Sequence, residues 1–135
     1  MSDTANKFGE YIRQKRLAKR WTQGDLIQQL TKIRVKVDKA YVSAKIDETY
    51  LSKIENGKVD APPSEAVIRG LAKALGCDEE ELLTRAGQFD VRELQKVAST
   101  NPEAAMLLRR LQRRELSDDQ IRKLLGADDG KHKTE

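Results

Sequence analysis

Length, composition and charge limit what the chain can be. It has 135 residues, 36% of which are Asp, Glu, Lys or Arg, and a formal net charge of +4. No apolar run approaches the ~20 residues that span a membrane, and the first residues lack the apolar core of an export signal. The sequence therefore predicts a cytoplasmic protein without a membrane partner, long enough for one compact domain and an appendage.

The residue types that carry catalysis and metal binding are scarce. The single cysteine, Cys77, and the single histidine, His132, lie far apart in the sequence. They provide no disulfide, no metal-ligand spacing and no nucleophile–base pair. We therefore expect no enzymatic activity, no metal and no cofactor.

The positive charge is concentrated in the first half of the chain. Residues 1–60 contain 13 Lys or Arg and 8 Asp or Glu, whereas residues 61–135 contain 13 and 14. This surplus favours a surface that faces a polyanion, although a solvated lysine-rich surface explains the charge equally well.

Apolar periodicity and capping residues predict five short helices up to Gly87. Asn, Asp, Ser and Thr favour the N-cap of a helix, and glycine favours its end. The predicted caps are Asn6, Thr22, Asp47, Ser64 and Asp78. The helical segments are "NKFGEYIRQKRLAKRW", "TQGDLIQQL", "DETYLSKIENG", "SEAVIRGLAKALG" and "DEEELLTRAG".

The segment "KIRVKVDKAYVSAKI" interrupts this helical pattern. Its apolar and basic residues alternate with period two, which predicts a β-hairpin of residues 32–37 and 40–45 around an Asp38-Lys39 turn. One face would hold Ile33, Val35, Val37, Val42 and Ala44, and the other Lys32, Arg34, Lys36, Tyr41 and Lys45. An extension of the preceding helix competes with the hairpin, but the run of β-branched residues disfavours it.

Residues 88–126 predict three further amphipathic helices, "FDVRELQKVAST", "NPEAAMLLRRLQRRE" and "SDDQIRKLLG". Asn101 is the expected cap of the second, with Pro102 at its first position, and Ser117 with Gln120 forms a capping box for the third. Such short helices need a partner surface to be stable. Residues 127–135 are predicted to be a disordered tail.

Several motifs resemble the XRE (Cro and phage-repressor-like) helix-turn-helix regulators. They are "IRQKRLAKRWTQGDL", "YLSKIENGK" and "PPSEAVIRGLAKALGCDEEELLTRAG", and the similarity covers about residues 8–87. The resemblance implies an all-α fold in which residues 1–87 form a five-helix DNA-binding domain. Residues 31–46 depart from the family, whose members join the second and third helices by a tight turn.

The third helix, residues 47–56, is the recognition helix in this interpretation. With Leu51 and Ile54 facing the core, its outer face keeps the candidate base contacts Glu48, Thr49, Ser52 and Lys53. The resemblance also implies phosphate contacts by Arg13, Gln23, Asn56 and Lys58, and a structural salt bridge between Arg16 and Glu55. Connectivity places the basic residues Lys32, Arg34, Lys36 and Lys45 of the insert near DNA, although a solvent-exposed flap or a dimer contact also fits.

Residues 88–126 resemble more weakly the short helical arm of stand-alone XRE repressors of the DNA-damage-response type. In that group the arm serves dimerisation and, in some members, is cut by a partner protease. Met106, Leu107 and Leu111 are the candidate interface residues, unless this stripe packs within the chain.

The sequence as a whole predicts a dimeric, sequence-specific repressor that reads a palindromic operator on double-stranded DNA and associates with the nucleoid. An antitoxin that regulates its own promoter alongside a toxin partner is an alternative, because it would use the same domain. A protein-interaction adaptor that has lost DNA binding is another.

Overall fold

The structure is a computed structural model that describes the backbone of residues 3–134 and the side chains of residues 3–126. Within this range the chain forms eight helices and one two-stranded hairpin. It divides into two compact units, the first of which ends at Phe89 and the second of which begins at Asp90. None of the helices in the described range is long and apolar enough to cross a membrane.

The first unit contains five helices, and most of their predicted ends are confirmed. Thr22, Asp47, Ser64 and Asp78 cap the second to fifth helices with their side chains, and Thr22 forms a full capping box with Asp25. Gly57 follows the third helix with a φ of +68°, a conformation that glycine adopts without steric cost. The helices are α1 (Asp3–Ala18), α2 (Gln23–Lys32), α3 (Glu48–Glu55), α4 (Glu65–Leu75) and α5 (Glu79–Ala86).

The predicted start of α1 is wrong. The helix already begins at Asp3, so Asn6 lies inside it and is not its cap. Asn6 instead packs beside Gly57, where a side chain at the glycine would collide with it. Asn6 therefore makes a tertiary contact, although the sequence predicts it to be a local helix cap.

One hydrophobic core unites the five helices. Every helix of the unit contributes fully or almost fully buried side chains, because each has an apolar stripe that faces inward. The largest are Ile12 of α1, Leu26 and Leu30 of α2, Leu51 and Ile54 of α3, Ile68 and Leu71 of α4, and Leu82 of α5. This core fixes α2 and α3 relative to each other.

The insert between α2 and α3 is a β-hairpin, as the alternation predicts. Strands β1 (Arg34–Val37) and β2 (Ala40–Ser43) pair antiparallel, with Val35 opposite Val42 and Val37 opposite Ala40. The turn lies at Asp38 and Lys39, and Asp38 adopts a φ of +58°, which aspartate tolerates better than most residues. Both strands are shorter than the predicted 32–37 and 40–45, because Lys32 and Ile33 form the end and the C-cap of α2, and Ala44 and Lys45 lie beyond β2.

One face of the hairpin is docked on the first unit. Both strands contact α4, and β2 also contacts α2. Val35 and Ala44 are completely buried, and a side chain at Gly70 of α4 would collide with Ala44. Glycine at position 70 thus permits the close approach that holds the insert against α4, so the insert is not a free flap.

The second unit contains α6 (Val91–Thr100), α7 (Pro102–Gln112) and α8 (Asp118–Thr134). Asn101 caps α7 with Pro102 at its start, and Ser117 and Gln120 form the predicted capping box. None of the side chains described for residues 90–126 is buried. The helix α8 continues through residues 127–134, where the sequence predicts a disordered tail; Glu135 lies outside the described residues.

Candidate nucleic-acid interface

The outer face of α3 carries polar side chains because its other face is committed to the core. Leu51 and Ile54 are fully buried, three residues apart, as one side of a helix requires. The four candidate base contacts lie on the remaining surface: Glu48, Thr49 and Lys53 are exposed, and Ser52 is half-buried. The outer face of α3 therefore presents one acidic, two hydroxyl and one basic side chain, the first two residues from its first turn and the others from its second half.

These side chains line an open groove of about 510 Å³ between the start of α2 and the surface of α3. The residues that line the groove are Gln23, Glu48, Thr49, Ser52, Lys53, Asn56 and Lys58. Each of them is one of the eight candidate base or phosphate contacts named from the sequence. The groove thus gathers residues from two helices and the following loop onto one surface.

The eighth candidate, Arg13 of α1, is tied to the same surface. Its Nη2 donates to Oδ1 of Asn56 at 2.6 Å, across 43 residues of sequence. The side-chain amide of Asn56 in turn donates to the backbone oxygen of Ser52 at 2.9 Å. Arg13 is therefore linked through Asn56 to the last turn of α3.

The predicted salt bridge between Arg16 and Glu55 is present and lies beneath the groove. Nε and Nη2 of Arg16 donate to the two carboxylate oxygens of Glu55 at 2.7 and 2.9 Å, and both side chains are buried. Nη1 of Arg16 also donates to the backbone oxygen of Trp21 at 2.8 Å. Because this bidentate pair joins α1 to α3 and to the loop before α2, it holds the helix pair in place.

Two of the candidate phosphate-binding residues, Gln23 and Arg13, also interact with Glu55. Nε2 of Gln23 donates to Oε1 of Glu55 at 3.1 Å, and Nε of Arg13 lies 3.6 Å from the same oxygen. The buried carboxylate thus fixes Gln23 at the start of α2 while one amide hydrogen of Gln23 stays available for another acceptor. The sequence did not predict this arrangement, because it depends on helix packing that joins Glu55 to residues 32 and 42 positions earlier in the chain.

The surroundings of Glu55 keep it ionised. Burial raises the pKa of this carboxyl, but hydrogen bonds from Arg16 and Gln23 and the charges of Arg16 and Arg13 outweigh burial and lower it below its ordinary value. The hydrogen bond to Glu55 likewise raises the pKa of Arg16 despite burial. The pair is therefore charged at neutral pH, and its buried groups are satisfied.

The candidate base contact Glu48 lies beside the first turn of α2. A side chain at Gly24 would come within 3.4 Å of the Glu48 carboxylate. Glu48 is also the first residue of α3, and the N-terminus of a helix is a position where acidic residues are favoured. Glu48 thus presents an acceptor at the groove, the group needed to bind the exocyclic amine of cytosine.

The other candidate residues lie outside the groove. Arg34, Lys36 and Lys45 are exposed on the undocked face of the hairpin, and Lys32 is exposed at the end of α2. The candidate dimer residues belong to α7 of the second unit, where Met106 is 65%, Leu107 38% and Leu111 42% exposed. No group of acidic, histidine and cysteine side chains in the described part of the chain could hold a metal ion.

Comparison with known proteins identifies the first unit. A family model described as a helix-turn-helix domain matches residues 7–84, which include most of α1, all of α2 to α4, the hairpin and most of α5. No curated protein and no solved structure matches the chain.

Proposed function

The chain belongs to the helix-turn-helix domain family, and from this premise we propose that it is a sequence-specific transcription regulator of double-stranded DNA. Membership of the family indicates a DNA-binding regulator. The finer proposal is a homodimeric repressor of the XRE type that reads a palindromic operator through α3 and acts on the nucleoid in the cytoplasm.

The groove between α2 and α3 carries this proposal. All seven residues that line it are candidate DNA contacts predicted from the sequence. The groove also combines donors and acceptors on one helix face, which is what readout of base edges requires.

The proposed mechanism follows the docking geometry of helix-turn-helix proteins. The recognition helix α3 enters the major groove with its N-terminal residues against base edges, while α2 crosses the backbone. Lys53 would donate to guanine O6 or N7, Glu48 would accept from cytosine N4, and Thr49 would contact a thymine methyl group or an adjacent polar edge.

Phosphate contacts would then fix the register of α3 on the duplex. Gln23 at the start of α2 and Lys58 after α3 both line the groove and carry donors. Arg13 and Asn56, which bond to each other in the free protein, carry further donors. The cationic contacts of Arg13 and Lys58 supply affinity that depends on salt, and none of the four contacts carries sequence information.

Dimerisation through the second unit completes the proposal. A single α3 reads one half-site, and a two-fold dimer doubles the readout. The exposed apolar side chains of Met106, Leu107 and Leu111 support this unit as the interface, because no side chain described for residues 90–126 is buried within a single chain.

The test is a selection of bound duplexes from random DNA, followed by measurement of affinity for the selected site. Lys53→Ala should reduce the preference for the selected site over random DNA by about 1–3 kcal/mol, or roughly fivefold to 150-fold. Lys73→Ala removes another exposed lysine, from α4, and should leave this preference unchanged.

If Lys53→Ala keeps the wild-type preference for the selected site, α3 is not the helix that reads the base pairs. Binding of the wild type that does not weaken with salt would favour the adaptor alternative, because neutralised phosphates must release their counterions.

A further inference from the structure

The insert, residues 31–46, has the same net charge as the whole chain. It contains five basic residues and one acidic residue, a net charge of +4, and the formal net charge of the whole chain is also +4. The remaining 119 residues are therefore neutral in sum. The charged residues of the insert are Lys32, Arg34, Lys36, Asp38, Lys39 and Lys45.

The fold separates these charges from the apolar residues of the insert. Along β1 the burial alternates, with Val35 buried between exposed Arg34 and Lys36. Register pairs Lys36 with Tyr41, which is 64% exposed, and Lys45 follows on the same face after buried Ala44. We name the exposed side chains of Arg34, Lys36, Tyr41 and Lys45 the basic hairpin face.

The docked side holds this face in a fixed orientation relative to the first unit. Ala44 packs against Gly70 of α4, where any side chain at position 70 would collide with it. The backbone amide of Ala44 donates to the backbone oxygen of Ile33 at 3.2 Å, which extends the ladder by one pair. On the exposed face, Nη2 of Arg34 donates to the backbone oxygen of Tyr41 at 3.1 Å. The basic hairpin face would therefore lose little conformational entropy when it binds a partner.

Both ends of the hairpin join the helix pair directly. Ile33 is at once the C-cap of α2 and the residue before β1, and three residues connect β2 to Asp47, the N-cap of α3. The N-terminal end of a recognition helix is the end that lies against base edges. Lys45, two residues before this cap, therefore lies next to the part of α3 that approaches the duplex.

We propose that the basic hairpin face is a second DNA-binding surface, which contacts backbone phosphates that flank the base pairs read by α3. Four residues per strand give the hairpin a length of about 13 Å. The basic side chains along this length can therefore reach more than one phosphate of the duplex. The proposal rests on the proposed function and adds to it a contact that a tight-turn helix pair lacks.

The chemistry of the face suits phosphates better than bases. Lysine and arginine provide donors and positive charge, and the Tyr41 hydroxyl is a further donor to phosphate oxygens. The carboxylate of the insert, Asp38, lies in the turn and not on this face. The face should therefore add affinity that is independent of sequence and sensitive to salt.

The experiment compares two double variants of the full chain on the selected duplex. Lys36→Gln with Lys45→Gln removes two charges from the basic hairpin face without touching the docked side. Lys7→Gln with Lys73→Gln removes two exposed charges from α1 and α4 as a matched control. The affinity of each is measured against salt concentration, and melting temperatures verify that all three proteins are folded.

Each phosphate contact contributes about 0.9 to the slope of log affinity against log salt. The hairpin variant should lose about 1–2 units of this slope relative to wild type, bind more weakly at low salt, and keep the wild-type preference for the selected site. The control should keep the wild-type slope to within half a unit.

A hairpin variant with the same slope as the control would overturn the proposal. A lost site preference at unchanged slope would also overturn it, since that result indicates base readout. Wild-type binding without salt dependence would instead contradict the proposed function itself, so the two failures are distinguishable.

Discussion

The two units of the chain are both helical, but they are stabilised in different ways. The unit that ends at Phe89 has a continuous core and a buried ion pair. In the unit that begins at Asp90, no side chain described up to residue 126 is buried, and large apolar residues such as Val91 and Met106 are about two-thirds exposed. The first unit has a hydrophobic core of its own, whereas the second leaves most of its described apolar side chains exposed.

This difference shows what local signals can and cannot achieve. The helices α6 and α7 have caps as good as those of the first unit, with Asn101 accepting from two backbone amides. Caps and periodicity are enough to define a helix, but short helices become stable only when an apolar face is covered. The contrast between the units predicts that matched substitutions have unequal effects.

The largest expected effect is on the buried ion pair. Glu55→Gln leaves the Arg16 guanidinium buried without its counter-charge and should lower the free energy of unfolding by about 3–5 kcal/mol. Urea unfolding can be followed by fluorescence of Trp21, the single tryptophan, which lies in the first unit. Glu93→Gln breaks the exposed pair with Lys96 in α6 and should change this free energy by less than about 0.5 kcal/mol. Similar effects of the two variants would contradict the contrast.

Core truncation tests the same contrast with apolar residues. Leu71 is fully buried in α4, and Leu107 of α7 is 38% exposed. Leu71→Ala should cost the first unit about 2–5 kcal/mol, through lost burial and the cavity left behind. Leu107→Ala should leave the Trp21 transition unchanged but weaken self-association measured by analytical ultracentrifugation. A large shift of the Trp21 transition in Leu107→Ala would show that the first unit depends on the second.

Acid should weaken the first unit through Glu55. Because the pKa of Glu55 is lowered in the folded state, its contribution to stability is present above the ordinary glutamate pKa of about 4.3 and is lost as the pH falls through the lowered value. The difference in unfolding free energy between wild type and Glu55→Gln should therefore shrink below about pH 4. A difference that stays constant from pH 7 to pH 3 would show that the charge of Glu55 does not stabilise the fold.

The smallest effects concern the helix caps. The Ser64 hydroxyl accepts from the amide of Val67 at 3.3 Å, and its removal in Ser64→Ala should cost about 1 kcal/mol of first-unit stability. Asn101→Ala removes an equivalent cap from α7. It should lower helical ellipticity without shifting the Trp21 transition. If both variants shifted that transition equally, the two units would unfold as one.

Local features of the fold were predictable from the sequence because short-range physics determines them. Thr22, Asp47, Ser64 and Asp78 cap as expected, since an N-cap needs only its own side chain and the next turn. The hairpin register followed from alternation and a two-residue turn. The start of α1 was predicted wrongly because Asn6 satisfies a tertiary contact at Gly57 that no local pattern reveals.

The sequence predicted which residues lie at the candidate interface, but not the hydrogen bonds that join them. Amphipathicity left Glu48, Thr49 and Lys53 on the outer face of α3, where the structure has them. The bonds of Gln23 to Glu55 and of Arg13 to Asn56 join residues more than 30 positions apart. Such bonds depend on helix packing, and no spacing in the sequence encodes them.

The most direct test of the central claim is the affinity of the full chain for its selected duplex and for random DNA of equal length, measured across a range of salt. If the groove between α2 and α3 reads DNA, the selected duplex should bind roughly 10³-fold or more tightly at physiological salt, and both affinities should fall steeply as salt rises. Equal affinity for the two duplexes, or affinity that salt does not change, would contradict the claim.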